Sequence, residues 1–125
     1  MGITVATSNA IVTARVGQPL YLALLTLYPA WTDTGNSITE PTAVDYSRHY
    51  LDPAYWGAPS AGVSTWNFDI SYAPVNNWGT IIAYGLCSAD TAGSLEAYEY
   101  LSSPVTLSAF STFRIASGML SYGAM

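Results

Sequence analysis

Hydrophobic residues run along this chain in two rhythms. In Leu20-Tyr21-Leu22-Ala23-Leu24-Leu25-Thr26-Leu27 both alternating faces are apolar, the pattern of a strand buried on two sides. Trp78-Gly79-Thr80-Ile81-Ile82-Ala83-Tyr84-Gly85-Leu86-Cys87 repeats that pattern and predicts a second central strand. Between them, Trp66, Phe68, Ile70 and Tyr72 alternate with Thr65, Asn67, Asp69 and Ser71, which predicts one half-buried strand with a wet face.

Turn residues punctuate the rest. Asp90 and Gly93 suit the tight loop Ser88 to Gly93, so Leu95 to Leu101 is expected to return as the hairpin partner of the second central strand. Shorter strands are expected at Val44–Leu51, Val105–Leu107 and Thr112–Ala116, with Gly118 as a bend before Met119 to Tyr122. Residues 30–43 and 52–62 carry the glycines and prolines of long connections. Near the N-terminus, Ser8 to Gly17 has a capping serine and a glycine stop, but Ile11, Val12 and Thr13 are β-branched, so any helix there is short. These elements predict an all-β fold: an antiparallel β-sandwich or partly open β-barrel with at most one short N-terminal helix. Residues 1–7 read as an N-terminal arm and residues 8–125 as a single β domain.

Composition changes this picture in one respect. Half of the residues are hydrophobic and 9% are charged; there is no lysine, and three arginines face eight acids for a net charge of −5. Such a chain folds, and it is the wrong sign for nucleic acid or an anionic membrane surface. Ten tyrosines and four tryptophans with so few charges also fit a surface that meets a partner, as interfaces enrich these rings and deplete Lys and Glu. Core packing of the same rings is the competing explanation. The single cysteine, Cys87, has no internal partner and reads as a small buried hydrophobe. The N-terminus lacks the basic and long apolar segments of a signal peptide, and no stretch approaches a membrane-spanning length, so synthesis in a host cytoplasm is expected.

Catalytic and metal motifs are missing. His49, flanked by Arg48 and near Tyr46, is the only histidine, and neither a nucleophile elbow nor a His-Glu-x-x-His run accompanies it. Glu96 and Glu99 fall on opposite faces of one predicted strand, and Asp52 precedes Pro53 in a turn, so neither Glu96 with Glu99 nor Asp45 with Asp52 makes a catalytic carboxylate pair. The acids also lack calcium-loop spacing. No enzyme activity, metal or cofactor is therefore expected. Trp31, Tyr50, Tyr55 and Trp56 lie in or beside the long loops, where aromatic rings can stack on sugars or pin the loops down. A carbohydrate-binding module stands as the rival reading.

Several segments, taken in order, resemble a family of small phage virion proteins described as tail-fibre, minor tail or capsid decoration proteins. The resemblance is carried by Leu20 to Thr26, Tyr46-Ser47-Arg48-His49, Gly57-Ala58-Pro59-Ser60-Ala61-Gly62, Trp78 to Leu86, Ser88 to Gly93, and Phe113 to Leu120. It implies a virion accessory protein with no catalytic residues and no cofactor. Its partners would be the major capsid protein and copies of itself, in a symmetric oligomer. A compact domain with a short arm favours capsid decoration, the outside of the head being clamped by the arm. A tail-fibre or minor tail protein, with a carbohydrate or other receptor, is the alternative. Candidate contact residues are Ile3 and Val5 on the arm and Trp31, Tyr50, Tyr55 and Trp56 on the loops.

Overall fold

The computed structural model describes residues 4–123. Its first element is a helix, α1 (Val5–Val16). Thr4 caps it, the hydroxyl accepting from the Thr7 amide at 3.2 Å, so the helix starts three residues before Ser8 and takes in the last part of the expected arm. Ser8, Val12 and Val16 share one narrow buried stripe, and Arg15 sits in the last turn, where a cation favours the helix dipole. Ile3 lies outside the described residues.

The strands follow as β1 (Leu20–Leu25), β2 (His49–Leu51), β3 (Val63–Thr65), β4 (Ile70–Tyr72), β5 (Gly79–Cys87), β6 (Leu95–Leu107), β7 (Phe113–Ile115) and β8 (Ser121–Gly123), with a 3₁₀ turn at Pro53–Tyr55. The largest sheet has the order β2-β1-β5-β6 with every pairing antiparallel. Two smaller sheets pair β3 with β8, antiparallel, and β4 with β7. The fold is thus mostly antiparallel β with one short N-terminal helix, and among the described residues no sheet closes into a barrel, as in a sandwich-like fold.

By packing, the chain falls into two compact units. The first holds residues 4–19, 52–70 and 114–123. There α1 packs against β3 and β8, and the Asn9 side chain accepts from the Gly62 amide at 2.8 Å. Trp66 extends the β3–β8 pairing: its amide donates to Leu120 O and its carbonyl accepts from the Gly118 amide, both at 2.9 Å. The next residues turn away, Asn67 N donating to Tyr55 O, while the Asp69 carboxylate accepts from the Ser117 amide at 2.7 Å and from Arg114 at 3.0 Å. This change of partners breaks the single strand expected over Thr65–Tyr72. Trp66, Ile70 and Tyr72 keep their buried side, but Phe68 is 52% exposed.

The second unit holds residues 20–51 and 71–113 and is built on the four-stranded sheet. β1 is buried on both faces, as its sequence requires. Ala23, Leu25, Ala83 and Cys87 form a core cluster on one face, with Ile38 and Leu95 packed against it. Burial pushes the Cys87 thiol up to about 11. The strands expected separately at Leu95–Leu101 and Val105–Leu107 are one strand, β6, at the edge of the sheet. Its register with β5 jumps from Tyr100 opposite Ala83 to Val105 opposite Ile81, so the intervening residues bulge opposite Ile82. Pro104, which has no N–H to give, falls in that bulge on an edge strand. Of the strand expected over Val44–Leu51, only His49–Leu51 (β2) pairs.

Candidate functional site

The densest polar structure in the second unit surrounds Arg48, a buried side chain. Its Nε donates to Glu40 Oε1 at 3.0 Å and one terminal nitrogen to Glu40 Oε2 at 2.9 Å. The same nitrogen donates to Gly35 O at 2.8 Å, and the other donates to Ala89 O at 2.8 Å and Ala92 O at 2.9 Å. All five N–H groups of the guanidinium are therefore used. Burial opposes the charge, but Glu40 together with Cys87 and Tyr46 more than offsets this and holds the pKa of Arg48 above the ordinary arginine value. Tyr46 extends the network: its hydroxyl donates to Glu40 Oε1 at 2.8 Å and accepts from the Leu24 amide at 2.9 Å. Burial, with Glu40 beside it, pushes that phenol well above the usual tyrosine range.

This clamp fixes two loops against each other. Gly35 N donates to Gly93 O at 3.0 Å, and a Cβ at Gly35 would lie 1.9 Å from Ala92 O, so only glycine fits. In the β5–β6 turn Ala92 and Gly93 have φ of 55° and 71°, and the Ser88 side chain accepts from the Ser94 amide at 2.9 Å. Between the loops lies a cleft of about 330 Å³ lined by residues of 35–41, 46–48 and 90–92.

A second cleft, of about 220 Å³, is lined by Asp45, His49, Ser71, Tyr72 and Trp78 among others. Asp45 ties down the turn beside it, accepting from the Val75 amide at 2.8 Å, from Trp78 Nε1 at 3.0 Å and from the Asn76 side chain at 3.1 Å. The Val75 amide above all holds this carboxyl well below the usual carboxylate range. His49 meets the ring of Tyr72 edge-on at 6.1 Å, and burial lowers its pKa, which favours the neutral ring. The described residues give His49 no hydrogen bond to a serine or a carboxylate. Nor do they hold a cluster of three or more His, Cys, Asp or Glu side chains able to bind a metal.

The structure distributes the candidate contact residues between the two units. In the first, Val5 is exposed on the opening turn of α1, and Tyr55 lies 4.4 Å from Phe68 and 5.8 Å from Trp66, ring to ring. Trp56 is not a surface residue: it is 8% exposed, with its ring edge-on to Trp66 at 5.4 Å, and so belongs to the core. In the second, Trp31 is 86% exposed and Tyr50 is half-exposed against its cross-strand neighbour Tyr21. Sequence reasoning passed over the Arg48 clamp. Its one signal is a charged residue between apolar strands in a chain with three arginines.

Residues 6–123 match the family model described as podophage GP4 fiber I protein gp80. A search of curated proteins finds no match.

Proposed function

Since the chain belongs to the podophage GP4 fiber I protein gp80 family, we propose that it is a structural fibre subunit of a phage particle. The observation that carries this reading is the extent of the match, residues 6–123, which takes in both compact units. Capsid decoration rests on the expectation of a small domain with a short arm, and a fibre assembled from small domains meets that description equally. Its partners in this role are other fibre components, copies of itself among them, within the virion. Exposed rings such as Trp31 and Phe110, on a chain with few charges to keep it apart from neighbours, support a life in contact with other subunits. No catalysis is part of the proposal.

Copy number separates the two virion roles. Quantitative mass spectrometry of purified particles should give far fewer copies of this chain than of the major capsid protein. A ratio near one would restore the decoration role, because a decoration protein follows the capsid lattice.

A further inference from the structure

Four exposed side chains around the larger cleft have no hydrogen-bond partner among the described residues. Asn36 comes from the loop after β1, Ser47 from the segment before β2, and Asp90 and Thr91 from the β5–β6 turn. None of the four donates or accepts a side-chain hydrogen bond among the described residues. The backbones that carry them are nonetheless fixed, by the Arg48 guanidinium and by the Gly35–Gly93 bond. The cleft is thus preformed rather than a gap between mobile loops, and its volume of about 330 Å³ suits a single small ring.

Its chemistry narrows the ligand. Arg48 and Glu40 at its base neutralise each other, and with every guanidinium N–H already used, the arginine has no donor left for an anion. What remains is rich in acceptors: the Asp90 carboxylate, the amide oxygen of Asn36, and two hydroxyls that can act either way. Ile38 and Pro41 supply apolar wall. Such a lining disfavours an anion and suits a ligand with several hydroxyl donors on one side and C–H groups on the other. We infer that this cleft is a binding site for a neutral sugar ring, with Asp90 and Asn36 receiving adjacent hydroxyls. It is a different place from the loop tryptophans, and it goes beyond the fibre reading, which it does not require.

Saturation-transfer NMR with a panel of neutral methyl glycosides of hexoses and N-acetylhexosamines, and with glucuronate as the anionic counterpart, tests it. At least one neutral glycoside should receive saturation and shift the amide resonances of residues 36, 47, 90 and 91, while glucuronate does neither. The double variant Asn36→Ala/Asp90→Ala, which leaves the Arg48 network intact, should keep its thermal midpoint and lose affinity by about tenfold or more. Three results would overturn the inference: no response to any neutral glycoside, shifts that map away from the cleft, or a stronger response to glucuronate. Shift mapping on the unaltered protein decides the matter even if the variant folds poorly. A negative result leaves the fibre role untouched, since that role is read from the particle.

Discussion

Arg48 and Glu40 meet through two parallel bonds, Nε to Oε1 at 3.0 Å and Nη2 to Oε2 at 2.9 Å, and the rest of the same guanidinium ends on three backbone carbonyls. Removing the arginine strands a half-buried carboxylate and three carbonyls together. Arg48→Ala should therefore cost about 3–5 kcal/mol, the range for breaking a buried pair from one side. Arg48→Lys should recover little, since an ammonium cannot span the fork. The Arg48→Met/Glu40→Leu double variant should cost much less than the sum of its single changes. Urea denaturation measures all of these, and simple additivity would show that the pair is not coupled.

Tyr46 closes the edge of β1 where β2 has already ended. The sheet register pairs β2 with Leu20, Tyr21 and Leu22 only, and the Leu24 amide is met by the Tyr46 hydroxyl at 2.9 Å instead. Tyr46→Phe keeps the ring against Trp78 but leaves that amide unpaired. A loss of about 1–3 kcal/mol is expected, with faster hydrogen exchange at Leu24 as the local signature. Unchanged exchange there would mean that the hydroxyl contributes nothing to the strand.

Asp45 gives the protein an acid-sensitive turn. Its carboxyl is held below the ordinary aspartate value of 3.8, first by the Val75 amide and then by Trp78 and Asn76. For a group depressed in the folded state, the stabilisation is fully present above the unfolded value and is lost as pH falls from there toward the folded one. Asp45→Asn should therefore be less stable than the unaltered protein near neutrality, and the difference should shrink on acidification. Parallel stability–pH curves for the two proteins would contradict the assignment.

Cys87, the last residue of β5, is fully buried opposite Tyr21 of β1 and Leu95 of β6, and its pKa is raised to about 11. Thiolate is the reactive form, so the native protein should resist a thiol reagent near neutral pH and react completely once unfolded in denaturant. Labelling at the same rate in both states would place the thiol at the surface.

The two central strands were legible because strands buried on both faces leave no polar alternation: Leu20 to Leu25 and Ile81 to Cys87 carry their burial in their composition. The alternation from Thr65 to Tyr72 was just as clear and misled. What breaks that strand is Trp66 bonding to Gly118 and Leu120 while Asp69 binds Ser117 and Arg114, all some fifty residues away along the chain. Among the loop tryptophans, Trp56 and Trp31 look alike in sequence, yet one packs on Trp66 and the other faces solvent. The Arg48 clamp was hidden for a different reason. Three of its acceptors are main-chain carbonyls at Gly35, Ala89 and Ala92, and carbonyls are the same in every residue.

Where the chain sits on the particle tests the central claim most directly. Gold-labelled antibody raised against the purified protein, viewed on intact phage by electron microscopy, should mark projecting fibres and leave the faces of the head bare. A label spread over the capsid lattice, with the fibres unmarked, would contradict it.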